Sequence, residues 1–387
     1  MTRHSRRMGA VQSPVVPVVA DLIRATPGTI SLGQGVVCYG PPDSALHNVL
    51  AHAGELNQYY GPVEGIPELA GRLKDKLRTE NDIHIDEGRS LVISAGANMG
   101  FLNALFAITD PGAEVILPTP YYFNHEMAVR MLNCEPVCVD TDQHFQITPE
   151  AVAAALTPRT AAVVTISPNN PSGAVYPEQS LRAINELCRE RGVYHISDEA
   201  YEYFVYDDQA HFSPASLDGS DRHTISLFSL SKAYGFSSWR IGYMLIPAHL
   251  HEAVRKVQDT NLICPPLASQ YAALGALEAG REYCIDRIRQ IARNRMFVLD
   301  ELKKLDCLDG AVRSDGAFYT FLRLRTGLSD MDIVKRLVQE FKIAVMPGSA
   351  FGMDRGCYLR ISYGALDEAT LVEGMHRLTG GLRAIAG

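Results

Sequence analysis

The chain has 387 residues, 47% apolar and 21% charged, and 36 basic against 44 acidic residues leave it at net charge −8. That length allows two or three domains around a sizeable core, and the composition excludes disorder, collagen and coiled coil. A net negative charge without a basic stripe argues against nucleic acid or an anionic membrane as the main partner.

The chain opens with a basic stretch, MTRHSRRMGA. VQSPVVPVVADLIR after it is too short and too broken by proline for a signal-peptide core. No run approaches the ~20 apolar residues of a membrane span. Eight scattered cysteines without a C-x-x-C pair suit a reduced, cytoplasmic protein. Cys134 and Cys138 lack a second Cys/His pair at ligand spacing, so no metal is expected.

Between about 46 and 280, short β-rich runs alternate with helical stretches. SLVISAG (90–96) reads as a strand, followed by a helix from Asn98 to Ile108 that stops at Asp110-Pro111-Gly112. AEVILP (113–118), EPVCVD (135–140), AAVVTISP (161–168), VYHISD (193–198), TISLFSLS (224–231) and GYMLIP (242–247) are further strands. Several are near-continuous apolar runs, as expected of strands buried on both faces. The expected fold is α/β: a large domain (46–280) with a mostly parallel seven-stranded sheet flanked by helices. Residues 281–387 read as a smaller α+β domain. It has a charged helix over 281–306, strands GAFYTFLRL (316–324) and CYLRISYG (357–364), and helices over 331–341 and 366–382. Residues 1–45, with ISLGQGVVCYGPP (30–42), are expected to join this smaller domain or cross the cleft.

Parallel sheets bind ligands outside the carboxyl ends of their strands. After SLVIS comes the small-residue turn Ala95-Gly96-Ala97-Asn98, which opens a helix and suits a phosphate. After VVTIS comes Pro168-Asn169-Asn170-Pro171-Ser172-Gly173. Asp198, Glu199 and Tyr201 follow VYHIS, and Ser229, Ser231 and Lys232 follow TISLF, with Arg240 eight residues beyond the lysine. Singly these are a turn, a helix cap and surface cations; their joint placement is what carries meaning. A lysine amine forms a Schiff base with an aldehyde. Pyridoxal phosphate needs such a lysine, an acid for its ring nitrogen, a donor for its phenolic oxygen and a phosphate cup. Here Ser229, Ser231, Arg240 and the amides of 96–98 supply the cup. G-x-G-x-x-G and G-x-x-x-x-G-K-[ST] are both absent, which sets a nucleotide aside.

SLSKAYGFSSWRIGY (229–243), SPNNPSGAVYP (167–177), SDEAYEYF (197–204), YYGPVEGIPEL (59–69), PTPYYFNHEM (118–127) and YLRISYG (358–364) stand in one chain order. In this the sequence resembles the class I/II aminotransferases, fold type I pyridoxal-phosphate enzymes, from about residue 28 to 382. The resemblance implies that Lys232 carries the Schiff base and then moves a proton. It implies Asp198 on the pyridinium nitrogen, and Tyr201 and Asn170 on the phenolic oxygen. Tyr122 would stack on the ring, and Gly96, Ala97, Asn98, Ser229, Ser231 and Arg240 would hold the phosphate. Tyr60 would reach the phosphate of a neighbouring subunit, making a homodimer with shared sites. Arg360, with Gly35 and Asn170, would bind the substrate of an enzyme acting on an L-amino acid and a 2-oxo acid.

Val36-Val37-Cys38-Tyr39 stands where many relatives have an acidic, Pro-containing loop, and Asn98 where relatives acting on acidic amino acids can carry lysine. The same lysine, acid and arginine would serve a lyase or cyclase of the capreomycidine-synthase kind, which stays open as an alternative. A non-enzymatic pyridoxal-phosphate-binding regulator is disfavoured, since no DNA-binding extension precedes residue 28 and the charge is negative.

Overall fold

The structure is a computed structural model that describes residues 5–54, 56 and 59–386. A short strand β1 (Ile30–Ser31) comes first. β2 (Arg89–Ser94), β3 (Glu114–Thr119), β4 (Glu135–Asp140), β5 (Thr160–Ile166), β6 (Tyr194–Asp198), β7 (Thr224–Ser229) and β8 (Gly242–Pro247) then form one sheet. Its order is β2-β8-β7-β6-β5-β3-β4, and β8 runs antiparallel to both its neighbours while the other pairs are parallel. All seven expected strands are present, their ends within two residues of the sequence reading.

Every residue of β3 and β8 is buried, because helices cover both faces of the sheet. Val115 and Leu117 pack on one face with Phe101, Ala104 and Leu105 of the helix Ala97–Ile108. Ile116 and Val163 point the other way, onto Leu181, Ile184 and Cys188 of the helix Glu178–Arg191. This period of two places alternate apolar residues of one strand in two different cores.

β9 (Tyr319–Leu324), β10 (Ile343–Ala344), β11 (Met346–Pro347) and β12 (Cys357–Ser362) belong to the second unit. β11-β12-β9 is an antiparallel sheet, and β10 pairs in parallel with β1. The helices Asp330–Phe341 and Glu368–Ala386 complete it. Ser329 caps the first of these by accepting the Asp332 amide. β9 starts three residues later than the sequence suggests.

The helix expected over 281–306 is the second half of a longer one, Leu267–Leu302, broken at Gly280 (φ +69°, ψ −171°). Its first half, LASQYAALGALEA, carries one charge and buries Ala272, Ala273, Gly275 and Ala276. A helix enclosed on several sides shows no amphipathic stripe, so periodicity is silent there. A Cβ on Gly275 would lie 2.3 Å from the Ser44 carbonyl, which is how closely the helix Asp43–Ala51 packs on it. From β1 the chain runs as a strap: Ser362 N–H donates to the Leu32 carbonyl (2.7 Å), and the next residues pass over the front edge of the large sheet. Among the described residues no helix is long and apolar enough to cross a membrane.

Candidate active site

Because the strands other than β8 run the same way, the segments after β2, β3, β5, β6 and β7 emerge on one edge. β8 runs oppositely and starts at that edge, so Arg240, just before it, arrives there too. A cavity of ≈ 280 Å³ opens at this place, lined by Ala97, Asn98, Tyr122, Asn170, Asp198, Tyr201, Ser229, Ser231, Lys232 and Arg240. Val36 of the strap covers it.

Gly96 caps the helix Ala97–Ile108 at φ +83° with no side-chain cap on its first turn. A Cβ there would lie 2.4 Å from Arg240 Nη2, so glycine is what lets the guanidinium lie against the turn. Arg240 donates to the Ser237 carbonyl (3.0 Å), the Ala95 carbonyl (3.4 Å) and Ser231 Oγ (3.4 Å). The Ser231 amide donates to Ser229 Oγ at 3.1 Å. A helix N-terminus, two hydroxyls and an always-charged fork together make an anion cup.

Lys232 Nζ donates to the Gly35 carbonyl at 2.7 Å and lies 5.8 Å from the Tyr201 ring centroid. Burial lowers its pKa from 10.5 to about 8, with the charges of Arg360 and Arg240 adding to the effect and Asp198 opposing it. Its free amine therefore becomes available above about pH 8 rather than above 10.5.

Asp198 Oδ1 accepts the Ala200 amide (3.1 Å), and Oδ2 faces His125 Nε2 at 3.2 Å. The neighbouring Glu199 turns away, into a buried cluster where His211 Nε2 is 2.9 Å from its Oε2 and Ser213 donates to it. Of this acidic pair only Asp198 lines the cavity.

Tyr201 Oη meets Tyr319 Oη at 2.8 Å and receives Asn170 Nδ2 at 3.5 Å. Burial pushes its pKa far up, so it stays protonated and can donate. Arg360, on β12 and 3% exposed, donates Nη1 to Asn170 Oδ1 (2.8 Å) and Nη2 to the Gly33 carbonyl (2.7 Å). Its Nε is buried without a partner among the described residues.

Among the described residues neither Lys232, Arg240 nor Arg360 has a carboxylate within ion-pair distance, while the surface arginines routinely do. Arg240 is exposed, but Arg360 is buried, and leaving a buried cation uncompensated costs several kcal/mol, on the order of 3–5. The site thus offers two places for anions, the exposed cup at Arg240 and the buried guanidinium of Arg360, with Lys232 also at the cavity.

Most of the sequence-derived residues converge, and Gly35 and Tyr60 stand apart from the cavity lining. Gly35 presents its carbonyl to Lys232, from which it accepts. Tyr60 lies outside the cavity, 78% exposed, beside a groove with Tyr59, Leu262, Pro266 and Leu267. Two residues escaped the sequence reading. His125 lies three positions after Tyr122 on one helix face, a spacing that could have indicated it. Tyr319 comes from the second unit, and its place depends on strand register across 118 residues.

The fold brings a lysine, an acid and an arginine to one sheet edge, and similarity to known proteins gives the class of this arrangement. A sequence profile described as aminotransferase class I and II matches residues 27–378, and the chain belongs to that family. A probable aspartate/prephenate aminotransferase of Aquifex aeolicus is 36% identical, over 92% of this chain and 91% of its own. An aromatic-amino-acid aminotransferase of Thermococcus litoralis is 32% identical, over 97% of each chain. The crystal structure of the aspartate aminotransferase from Rhizobium meliloti superposes with a TM-score of 0.92, at 31% identity over 99% of each chain. These support amino transfer; the lyase or cyclase alternative finds no support among them.

Proposed function

We propose that the chain is a pyridoxal-phosphate-dependent aminotransferase exchanging an amino group between an L-amino acid and a 2-oxo acid. The observation that carries this reading is the convergence of Lys232, Arg240, Asp198 and Tyr201 on one cavity, with the buried Arg360 hydrogen-bonded to Asn170 of its lining. The cofactor's phosphate would take the cup at Gly96, Ala97, Asn98, Ser229, Ser231 and Arg240. Its ring nitrogen would meet Asp198 and its phenolic oxygen Tyr201 and Asn170. When bound, it supplies an electron sink next to the reacting carbon.

The chain's own residues do the rest. Asp198 presents fixed negative charge to the ring nitrogen, and His125 keeps that carboxylate oriented. Tyr122 covers one ring face. Lys232, near neutrality, accepts a proton at Nζ from one carbon and returns it to another. Arg360 holds the carboxylate common to amino acid and oxo acid as a forked pair.

Among the described residues Lys232 and Arg240 are the cations that line the cavity, and Asn98 stands where relatives acting on acidic amino acids can carry lysine. This favours apolar or aromatic side chains, the choice named for the Thermococcus relative rather than the aspartate of the others. Tyr60 beside its exposed groove of ≈ 800 Å³ supports a homodimer in which it completes the partner's cup. All eight cysteines are free thiols, which fits a reducing cytoplasm.

The test is the visible spectrum of protein loaded with pyridoxal phosphate, followed through a panel of L-amino acids without oxo acid. The colour should bleach with apolar or aromatic donors and return with a 2-oxo acid. Protein that takes up no pyridoxal phosphate, or is indifferent to every donor, rules the reading out.

A further inference from the structure

Tyr319 opens β9, two residues before Phe321, the register partner of Arg360 on β12. Residues two apart share a sheet face, so Tyr319 and Arg360 are diagonal neighbours. The Tyr319 ring centroid lies 4.6 Å from the Arg360 guanidinium carbon. Its hydroxyl is 2.8 Å from that of Tyr201, and among the described residues it has no other hydrogen-bond partner. Resting on the pyridoxal-phosphate reading above, we propose that Tyr319 is a positioning residue: it donates to Tyr201 and thereby aims the Tyr201 proton into the cavity, while its ring backs Arg360.

A tyrosine hydroxyl has one proton to give and lone pairs to receive. Arg360 fixes the Asn170 amide with its oxygen toward the guanidinium, so its NH₂ points at Tyr201. If Tyr201 donated to Tyr319, the Tyr319 proton would be buried with no acceptor, which carries the full desolvation penalty of an unmade bond. The reverse polarity satisfies every group: Tyr319 and Asn170 donate to Tyr201, whose own proton is left for the cavity. Burial pushes the Tyr319 pKa up to about 12, so it keeps its proton through the neutral range. The strap meets the same atom: a Cβ on Gly35 would lie 2.6 Å from the Tyr319 hydroxyl. Residue 35 must be bare for Tyr319 to hold this place.

The experiment is a pH titration of the visible band of protein loaded with pyridoxal phosphate, in Tyr319→Phe, Tyr201→Phe and the double variant. A weaker donor leaves more negative charge on the phenolic oxygen, and the neighbouring Schiff-base proton is then held more tightly. Tyr319→Phe should raise the midpoint by about 0.5 pH unit, about threefold in proton affinity, and Tyr201→Phe by more. The double variant should match Tyr201→Phe alone. KM for amino and oxo acid should stay within about twofold in Tyr319→Phe, which keeps the ring, and rise about tenfold in Tyr319→Leu, which does not. Gly35→Ala is an independent route to the same upward shift, because its Cβ would displace the Tyr319 hydroxyl. An unchanged midpoint in Tyr319→Phe, or an equal shift in the Tyr201→Phe background, overturns the Tyr319 assignment. A wild-type protein without a titrating band overturns the functional reading instead.

Discussion

His125 Nε2 stands 3.2 Å from Asp198 Oδ2, with its ring stacked on Phe101 at 3.9 Å between centroids. Both side chains are almost fully buried. Asp198 thus has one oxygen tied to a ring that packing holds still and the other to a backbone amide.

Removing the acid removes the charge that would face the ring nitrogen. Asp198→Ala should lower kcat by about 10²–10³-fold, the usual size of one fixed electrostatic partner. His125→Asn keeps the acid and loosens its orientation, so about tenfold is expected. Single-turnover rates with one donor check both, and a His125 variant more damaging than the Asp198 variant would reverse their assigned order.

Lys232→Ala should still hold pyridoxal phosphate through the cup but form no covalent link. After borohydride treatment its mass should lack the cofactor, and turnover should fall by about 10⁴-fold. Because the Lys232 pKa is lowered to about 8, the free amine predominates above that pH rather than above 10.5. Covalent uptake by wild-type protein should therefore speed up as pH rises toward about 8 and then level off. A rate still climbing steeply at pH 9.5 would contradict the lowered value.

Arg360→Ala opens a buried site for the carboxylate shared by both substrates. Losing a forked, charge-assisted pair should cost about 2–4 kcal/mol, or about 30- to 1000-fold in kcat/KM. The loss should fall equally on amino acid and oxo acid. A defect confined to one of them means that the two carboxylates do not share this arginine.

Gly96→Ala puts a Cβ where Arg240 Nη2 now lies, at a residue with φ +83°. The guanidinium must withdraw from the cup, so the Kd for pyridoxal phosphate should rise at least about tenfold. Equilibrium dialysis of the variant decides it; wild-type affinity would mean that Arg240 does not hold the phosphate.

Much of this arrangement was legible in the sequence because a parallel sheet converts chain order into place. The residues after β2, β5, β6 and β7 are neighbours in space whatever the intervening helices do. That rule locates Gly96, Asn170, Asp198 and Lys232. It says nothing of which member of an acidic pair turns inward; Asp198 and Glu199 are separated only by the pleat and by the buried cluster that takes Glu199. It is equally silent on Tyr319, set by register in another sheet, and on the helix half Leu267–Ala279, whose burial erases its pattern. Tyr60 makes no contact with the cavity of its own chain, so no reading of one chain places it.

β8 is the one strand of the large sheet that runs against the rest. Without that reversal, Lys232 and Arg240 would sit at opposite ends of the sheet, separated by a crossover. With it, a single short connection leaves one strand and enters the next while carrying the nucleophile at one end and the anion clamp at the other. Its length is consequently a molecular gauge: the separation of the two groups is written into the number of residues between them. An insertion or deletion in this connection changes the size of what the protein can grip.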